Sequence, residues 1–499
     1  MKILSSQELR KADQFTIESE PVASIDLMER AAEACFNWLT TKLDLTNRKL
    51  HIYCGIGNNG GDGLALTRML FRFGVTVHVY CIGDPELGSS DFKTNLQRWK
   101  DLSNQFTQLT KATDLPLHQP NDLIIDALFG TGLTRPTAGL TLQTIEHINS
   151  SKNDVISIDL PSGMFSEDNS MNNSSGIINA KHTLTFQSPK LAFLLADCGE
   201  KCGDLHVLDI GLDREFIQQC TSPFYLLERT DIEPLLRERK RFSHKGTYGH
   251  SLLIAGSKGK MGAAVLSAAA ALKAGSGLVS AFIPECGYTI LQSSVPEAMC
   301  YTSQSEDHIS GDQDWDQFTS IAIGPGIGTH SDTKKTVIHL LKNSKKPLTL
   351  DADALNIIAA QPDLMNFIPK NSILTPHPKE FDRLFGVSNS AYNRLLKQRE
   401  MAIKYHVILV LKGSFTSVAN TNGEIFFNPT GNPSMATGGS GDVLTGIIAG
   451  LLAQSNSPEN AAKLGVYFHG QAGDSALKSI LQQSITASDI VKSYTLKTP

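Results

Sequence analysis

Seven consecutive residues in the last quarter of the chain have the types needed to hold an anion and to accept a proton. Residues 436–442 are Ala-Thr-Gly-Gly-Ser-Gly-Asp and lead directly into the apolar helical pattern of residues 443–452. Small residues at a helix N-terminus let successive backbone N–H groups point at one position, which favours a negatively charged phosphoryl group. Asp442 then has the position of a general base. An ordinary helix N-cap is the alternative, although a cap does not require four glycine or serine residues before it.

Four other segments follow apolar runs and supply the remaining parts of a nucleotide site. Lys412 follows the expected strand 407–411, where its ammonium group can meet a phosphate. His377 is held between two prolines in a loop, which favours ligand binding over the role of an ordinary surface or core histidine. Glu380 either lines the same site or caps the helix that follows. The four segments are residues 324–328, 351–356, 375–380 and 412–416.

A glycine-rich turn at residues 55–63 lies between an expected strand and an expected helix at 64–73. It contains the G-x-G-x-x-G pattern in the required context, so a dinucleotide-binding site is one interpretation. Asn58, Asn59 and Asp62 argue against it, because they crowd the turn with acceptors and a carboxylate at a helix N-terminus repels a pyrophosphate. We expect instead a loop whose polar side chains do the chemistry.

Two aspartates end other expected strands, Asp126 before a glycine-rich loop and Asp159 before Leu-Pro-Ser-Gly. In an open parallel sheet the ligand crevice lies outside the carboxyl ends of the strands, so we expect these loops to converge with the glycine-rich turn. Taken singly, such aspartates often cap helices or close turns. The amide of Asn59, the carboxylate of Asp126 and the hydroxyl of Ser162 are hard oxygen donors, which suit a hard cation better than zinc.

Three motifs of the N-terminal half, in this order, resemble the NAD(P)H-hydrate epimerase family over roughly residues 10–212. They are Gly-x-Gly-Asn-Asn-Gly-Gly-Asp-Gly, Asp-Ala-Leu-Phe-Gly-Thr-Gly-Leu and Ser-Ile-Asp-Leu-Pro-Ser-Gly. The resemblance implies that Asp159 is catalytic and contacts the reacting ring. The implied potassium ligands are Asn59, Asp126 and Ser162. The residues implied to hold the hydrated nicotinamide nucleotide are Asn58, Asn59, Gly60, Gly61, Asp62, Gly130, Thr131, Gly132, Leu133, Thr134, Arg135 and Pro136.

The C-terminal motifs resemble the ribokinase superfamily over roughly residues 225–497, and specifically its ADP- or ATP-dependent NAD(P)H-hydrate dehydratase branch. Lys-Gly-Thr-Tyr-Gly-His at 245–250 and Asn-Pro-Ser-Met-Ala-Thr at 432–437 fit that branch better than the sugar kinases. The residues implied to contact the hydrate are Ala263, Gly326, His377 and Asp442, with Asp442 catalytic. The residues implied to contact the adenine nucleotide are Lys412, Gly413, Ser414, Phe415, Thr416 and Gly441.

Elements of α/β type must position both sets of residues. Short β-rich runs alternate with helical patterns in both halves of the chain, which is typical of parallel sheets with crossover helices. One amphipathic helical pattern covers residues 10–45. The alternation decays near residues 213–230, so we predict two α/β domains. These are a Rossmann-like parallel-sheet domain at residues 1–220 and a ribokinase-like domain at residues 221–499.

Composition limits the classes of partner. Charged residues make up 19% of the chain and the net charge is -5, which provides no basic field for a phosphate backbone, so no nucleic-acid partner is expected. No apolar run reaches the roughly 18 residues that span a bilayer, so we expect no membrane association and a cytoplasmic location. The sparse cysteines, including Cys198 and Cys202, are expected to be reduced core residues rather than metal ligands.

Both resemblances imply the same substrates, hydrated NADH and NADPH (NADHX and NADPHX). They imply a bifunctional enzyme, an isomerase that interconverts the R and S hydrates and a lyase that dehydrates the S form at the expense of ADP, giving AMP and phosphate. The implied cofactors are potassium, Mg²⁺ and ADP or ATP, and the implied assembly is a homo-oligomer. Two rival functions are a vitamin or sugar kinase fused to a noncatalytic nucleotide-binding module, and a nicotinamide-dependent dehydrogenase favoured only by the G-x-G-x-x-G pattern.

Overall fold

The computed structural model describes residues 1–312, 314–479 and 484–497. Contacts within the chain divide it into two units. The N-terminal unit comprises residues 2–222 and 390–392, and the C-terminal unit comprises residue 1 with residues 223–389 and 393–499. Among the described residues, no helix is both long enough and apolar enough to cross a bilayer.

A seven-stranded parallel sheet forms the centre of the N-terminal unit. Its strands are β1 (Lys49–Cys54), β2 (Thr76–Ile82), β3 (Phe106–Leu109), β4 (Leu123–Ala127), β5 (Asp154–Ile158), β6 (His182–Phe186) and β7 (Asp204–Leu208). Their spatial order is β3-β2-β1-β4-β5-β6-β7, so the direction of chain progression reverses between β1 and β4. Parallel neighbours require crossover connections. The helices of this unit are α1 (Ser6–Ser19), α2 (Ser24–Lys42), α3 (Asn58–Arg72), α4 (Ser90–Lys100), α5 (Gly139–Ser150) and α6 (Arg214–Gln219).

Both faces of this sheet are covered, which explains why its central strands are such clear apolar runs in the sequence. On one face, Leu50 and Ile52 of β1 are fully buried in a core with Leu64 of α3. On the other face, Ile124 of β4 is fully buried with Ile145 of α5. The sheet is therefore a rigid base for the loops at its edges.

Two helices differ from the sequence prediction. The pattern at residues 10–45 forms two helices rather than one, because Pro21 lacks a backbone N–H and cannot continue α1. The helix expected from Leu64 begins at Asn58, with Gly57 as its N-cap. Asn58 to Gly63 therefore form the first turns of α3, and the prediction of a polar loop at this point was wrong.

A ten-stranded mixed sheet forms the centre of the C-terminal unit. Its strands are β8 (Phe224–Leu226), β9 (His250–Ile254), β10 (Leu278–Ile283), β11 (Met299–Thr302), β12 (Ser320–Ile323), β13 (Leu348–Leu350), β14 (Ile373–Leu374), β15 (Ile408–Leu411), β16 (Ser417–Ala419) and β17 (Ile425–Phe427). The order is β11-β10-β9-β12-β13-β14-β15-β16-β17-β8. Neighbours are parallel except where β16 pairs with β15 and β17. The helices are α7 (Arg229–Ile232), α8 (Met261–Lys273), α9 (Tyr288–Ser294), α10 (Ser331–Asn343), α11 (Ala352–Ala359), α12 (Pro378–Phe385), α13 (Ala391–Tyr405), α14 (Ser440–Ala453), α15 (Pro458–Ser479) and α16 (Ala487–Ser493).

Small residues let α8 and α14 pack closely. Ala264, Ala268 and Ala271 of α8 are fully buried. A Cβ on Gly446 of α14 would clash with the carbonyl oxygen of Ser267, so the closest approach of the two helices requires glycine. This packing holds the N-terminal end of α14, where the predicted catalytic aspartate lies.

The two α/β units, each built on a largely parallel sheet, confirm the predicted fold class. The short strand β8 was not predicted; it pairs with β17 and extends the edge of the second sheet. All eight cysteines are unbridged, and Cys198 and Cys202 are buried, as expected for residues that fill a core.

Candidate active sites

The glycine-rich turn and β4 meet where the strand order of the N-terminal sheet reverses, which is the usual ligand crevice of an open α/β sheet. The backbone N–H of Gly55 donates to the carbonyl oxygen of Ala127 at 3.1 Å and joins the carboxyl ends of β1 and β4. A Cβ on Gly60 would clash with the carbonyl oxygen of Gly55, so the start of α3 requires glycine there.

Asp126 lies inside β4 and is fully buried. Its carboxylate accepts hydrogen bonds from the Ser157 hydroxyl at 2.8 Å, the Ser162 N–H at 2.8 Å and the Leu128 N–H at 3.3 Å. Burial raises the pKa of Asp126, while the hydrogen bonds from Ser162 and Ser157 lower it. The structure thus brings Asp126 and Ser162 together at the crevice.

Asn59 is 8% exposed, and both polar atoms of its amide are buried without a hydrogen-bond partner among the described residues. Leaving a buried amide unsatisfied is costly, so the position fits a polar ligand or an ion. A Cβ on Gly130 would lie 3.5 Å from Cβ of Asn59 and 3.0 Å from Oδ2 of Asp159, which shows that these three residues surround one space. The unpartnered amide oxygen of Asn59 is a hard donor, which fits the implied potassium ion.

The strand end after β5 places Asp159 in a strained conformation. Its φ of 65° lies in the left-handed region, which costs a non-glycine residue about 1–2 kcal/mol. Nζ of Lys190, a side chain only 2% exposed, lies 2.6 Å from Oδ1 of Asp159 and donates to the Thr185 hydroxyl at 2.8 Å. This largely buried ion pair fixes the orientation of the Asp159 carboxylate.

Two more carboxyl groups lie in the electrostatic field of Asp159. Burial and the negative charge of Asp159 raise the pKa of Asp62 well above its usual range. The same causes raise the pKa of Asp13 to about 6, while Lys190 lowers it. Sequence analysis missed Lys190 and Asp13, because neither belongs to a motif and only the fold brings them near Asp159.

The other predicted substrate residues form an irregular loop after β4. The loop begins at Gly130, next to the crevice, and becomes exposed at Gly132 and at residues 134–136. Arg10 of α1 donates to the carbonyl oxygen of Thr131 at 3.4 Å. The loop therefore leads from the crevice to solvent, where its exposed residues are available to a ligand.

In the C-terminal unit, a lysine, a buried carboxylate and a threonine meet at the ends of β13 and β15. Nζ of Lys412 lies 2.8 Å from Oδ1 of Asp351, and the Thr445 hydroxyl donates to Oδ2 of Asp351 at 2.7 Å. A Cβ on Gly441 would lie 3.3 Å from Nζ of Lys412, so two of the predicted nucleotide residues are close neighbours. The loop at 413–416 follows directly and is partly exposed.

Asp442 lies in the first turn of α14. The N-cap of this helix is Gly439, whose φ of 90° suits glycine alone without strain. Burial and the negative charge of Asp351 raise the pKa of Asp442 to about 6, while Lys412 lowers it. A carboxyl group with a pKa near neutrality is suited to take a proton from a substrate, and the free N–H groups of the same turn can hold an anion.

Ala263 and Gly326 lie together where the order of the second sheet reverses, between β9 and β12. A Cβ on Gly326 would lie 3.0 Å from Cβ of Ala263. The N–H of Gly256 donates to the carbonyl oxygen of Pro325 at 2.8 Å and joins the two strand ends. These two predicted substrate residues therefore share one crevice.

His377 is the N-cap of α12. Its Nδ1 accepts a hydrogen bond from the N–H of Glu380 at 3.2 Å, and the Glu380 carboxylate accepts one from the N–H of His377 at 2.9 Å. Glu380 thus caps the helix, which was one of its two predicted roles. The N–H of Lys412 donates to the carbonyl oxygen of Pro376 at 3.0 Å, so His377 and Lys412 follow neighbouring strands. No hydrogen bond or ion pair described in the structure joins His377 to Asp442.

Comparisons with known proteins match both parts of the chain. Residues 24–192 match the family model described as YjeF-related protein N-terminus, and residues 251–495 match that described as NAD(P)H-hydrate dehydratase. A bifunctional NAD(P)H-hydrate repair enzyme of Moorella thermoacetica is 35% identical over 98% of this chain and 95% of its own length. A relative with the same description from Coxiella burnetii is 33% identical over 98% of this chain and 97% of its own length.

One solved structure matches about half of the chain. It is an ADP/ATP-dependent NAD(P)H-hydrate dehydratase from Bacillus subtilis, co-crystallised with ATP and Mg²⁺. It is 31% identical and covers 54% of this chain and 95% of its own, with a TM-score of 0.45. The two relatives that match along nearly the whole of both chains confirm the resemblance found in the sequence. The chain belongs to the family of bifunctional NAD(P)H-hydrate repair enzymes.

Proposed function

We propose that this protein restores hydrated NADH and NADPH in two steps. The N-terminal domain, residues 1–220, interconverts the R and S epimers of the hydrate. The C-terminal domain, residues 221–499, dehydrates the S epimer, and this step converts ADP to AMP and phosphate. Together the two activities return both epimers to the reduced dinucleotide.

One observation supports the proposal most strongly: a single chain carries two acidic sites, each at the carboxyl ends of parallel strands in its own sheet. Asp159 pairs with Lys190 at the strand ends of the N-terminal sheet. Asp351 pairs with Lys412 at the strand ends of the C-terminal sheet, next to the start of α14. Ligands of α/β sheets bind at such edges. The full-length relatives described above are bifunctional and match both halves of the chain.

Dehydration requires a better leaving group than hydroxide, and phosphorylation of the ring hydroxyl provides one. In the proposed step Asp442 accepts the hydroxyl proton while the oxygen attacks the terminal phosphorus of ADP, and AMP departs. The N–H groups of residues 438–441 hold the transferring phosphoryl group. The ring nitrogen then expels phosphate, and loss of a proton from the neighbouring carbon restores the double bond.

The remaining groups position the two substrates. Lys412 and the loop at 413–416, together with Gly441, contact the adenine nucleotide, whose phosphates carry Mg²⁺. The residues proposed to contact the hydrate are Ala263, Gly326 and His377. Resemblance to fused bacterial enzymes favours ADP over ATP as the phosphoryl donor.

Epimerisation takes place at the first crevice. Asp159 contacts the reacting ring, and its ion pair with Lys190 orients the carboxylate. Asn59, Asp126 and Ser162 would hold potassium, which would supply positive charge at the crevice. The loop from Gly130 to Pro136 and the first turns of α3 hold the rest of the substrate.

The proposal is tested by mixing the purified chain with an equal mixture of the R and S epimers of hydrated NADH and either ADP or ATP. Absorbance of the reduced nicotinamide should recover completely, with free phosphate released in proportion, together with AMP when ADP is supplied or ADP when ATP is supplied. A fused kinase would accumulate a stable phosphorylated product, and a dehydrogenase would consume reduced cofactor. Recovery of only half the absorbance would contradict the epimerase assignment alone.

The assembly and the location of the protein stay predictions. The resemblance to the family favours a homo-oligomer. Light scattering of the purified chain tests this by measuring its mass in solution. The expected compartment is the cytoplasm, and fractionation of cells that express the chain tests it.

A further inference from the structure

A group of histidines and tyrosines lies toward the amino ends of the strands of the N-terminal sheet. The first crevice lies at the carboxyl ends of the same strands. His51 is near the start of β1, and Asp122 directly precedes the neighbouring strand β4. His118 belongs to the irregular segment that leads into β4. The proposed epimerisation chemistry uses none of these residues, because the crevice with Asp159 lies at the carboxyl ends of the strands.

Three of these side chains have their potential ligand atoms within 4.8 Å of one another, namely His51, His118 and Asp122. Nε2 of His51 lies 2.9 Å from Oδ2 of Asp122, and the side chains are 2% and 10% exposed. Nδ1 of His118 is buried and has no hydrogen-bond partner among the described residues. An unpaired nitrogen beside a buried carboxylate is costly unless a further group completes the cluster.

The second nitrogen of each imidazole meets a tyrosine hydroxyl. Nδ1 of His51 lies 3.3 Å from the Tyr80 hydroxyl, and Nε2 of His118 lies 3.0 Å from the Tyr53 hydroxyl. Metal-binding histidines usually donate their other ring N–H to an outer partner, which fixes the tautomer that presents a lone pair to the ion. Both imidazoles have such a partner here, so Nε2 of His51 and Nδ1 of His118 are the nitrogens left for a ligand.

The third ligand is held in place by the backbone. The Asp122 carboxylate accepts the N–H of Gln119 at 2.7 Å in addition to its contact with His51. This fixes the orientation of the carboxylate toward the two imidazoles.

We propose that His51, His118 and Asp122 form a binding site for a divalent transition-metal ion of the zinc class. Two neutral imidazoles and one carboxylate are a donor set that such ions prefer, and Ca²⁺ or Mg²⁺ would prefer oxygen ligands alone. Zn–N and Zn–O bonds of about 2.1 Å place tetrahedral ligands roughly 3.4 Å apart, so small rotations of the three side chains suffice. The ion replaces the hydrogen bond between His51 and Asp122 and leaves a fourth position for water.

Bound metal would fasten the segment before β4 to the sheet, because His118 is in that segment and His51 is in the central strand β1. The site is thus a structural one, remote from the proposed chemistry. Zinc should raise the melting temperature of the protein without changing the rate of epimerisation.

The test uses the full chain, freed of metal with a chelator and titrated with zinc by calorimetry. We expect one zinc per chain, and we expect His118→Gln to weaken binding at least about 100-fold. His118→Gln is preferred to a change at His51, because the half-buried His118 is in a loop and glutamine can keep the bond to Tyr53. Circular dichroism checks that the variant folds, and cobalt absorbance reports tetrahedral coordination in the wild type.

Two matched controls make the result specific. His78→Gln should bind zinc like the wild type, because His78 is on the adjacent strand and bonds to Gln105 and Thr107 outside the cluster. His330→Gln alters a second, more exposed histidine and aspartate group at the start of α10. The proposal is overturned if the wild type binds no zinc, if His118→Gln binds it equally well, or if binding is lost in His330→Gln instead.

Discussion

The two acidic sites use their lysines differently. In the N-terminal unit Lys190 pairs directly with the proposed catalytic Asp159 at 2.6 Å. In the C-terminal unit Lys412 pairs with Asp351 at 2.8 Å, and Asp442 has no ion pair among the described residues. Its pKa is therefore raised to about 6 by burial and by Asp351. In the first site the lysine therefore pairs with the proposed catalytic carboxylate itself, whereas in the second it pairs with a neighbouring carboxylate.

The two sites share one feature, a strained residue at a strand end. Asp159 after β5 has a φ of 65°, and Ala352, which follows Asp351 after β13, has a φ of 45°. Non-glycine residues keep such conformations only where the surrounding structure determines them, and they cluster at functional sites. In both units the strained residue is, or directly follows, a carboxylate that pairs with a lysine.

The largest expected effect comes from Asp442→Asn. An amide cannot take the hydroxyl proton, so dehydration should fall by about 1000-fold or more. Epimerisation should stay near normal, since its residues belong to the other unit. Recovery of nicotinamide absorbance measures the first activity, and exchange between epimers followed by chromatography measures the second. Normal dehydration by this variant would remove Asp442 from the role of base.

Replacing the lysine of the first site should impair epimerisation and leave dehydration intact. Lys190→Met leaves the Asp159 carboxylate buried without its partner, so epimerisation should fall by about 100-fold and unfolding should require about 3 kcal/mol less free energy. Lys190→Arg keeps the charge and serves as the matched variant. Dehydration of the purified S epimer should be unchanged in both. Full epimerisation by the methionine variant would show that the ion pair has no role in catalysis.

Asp126→Asn tests the potassium site that distinguishes the first crevice from the second. We expect epimerisation to fall by about 10-fold and to become independent of potassium, because the neutral amide attracts a cation less. The readout independent of activity is the melting temperature, which potassium should raise in the wild type and not in the variant. Tetramethylammonium serves as the control salt. An equal response of both proteins to potassium would make Asp126 a structural residue only.

The fold could be predicted where one rule dominates. Buried parallel strands such as β1, β4 and β5 are apolar runs that end in glycine or aspartate, so their positions were clear in the sequence. The short strand β8 was missed because only pairing with β17, far along the chain, makes it a strand. The start of α3 was misplaced because glycine and asparagine have low helix propensity. Glycine occurs here because the first turn of α3 packs closely against the backbone that follows β1.

The sites divide in the same way. Asp126 and Ser162 could be placed together because neighbouring strand ends share an edge of the sheet. Lys190 and Asp13 could not, because no motif or periodicity marks them and only tertiary contacts bring them to Asp159. Lys412 was predicted to contact a phosphate; its pairing with Asp351 depends on a geometry that the sequence does not encode locally.

The smallest expected effect is on stability, and it sharpens the contrast between fixed and free carboxylates. The pKa of Asp442 is raised from 3.8 to about 6, so the folded protein binds this proton more tightly than the unfolded chain does. Well below the unfolded pKa of 3.8 the group is protonated in both states and costs nothing. As the pH rises through 6, the folded state must ionise a buried carboxyl and loses stability. Asp442→Asn avoids that loss and should unfold with about 1–3 kcal/mol more free energy at pH 8 than the wild type.

Denaturant unfolding at a pH of about 3, below the unfolded pKa, and at pH 8, followed by the transition of the C-terminal unit, measures this difference. The variant and the wild type should have equal stability at the lower pH. The matched control is Asp332→Asn, since Asp332 is an exposed carboxylate whose pKa is lowered by its hydrogen bond to Lys335. Asp332→Asn should lower the free energy of unfolding at pH 8, because a lowered pKa stabilises the folded state above the unfolded pKa. The variant loses this stabilisation. A gain in stability at pH 8 in both variants would reflect a general effect of removing negative charge. The raised pKa of Asp442 at the start of α14 would then not be the cause of the gain.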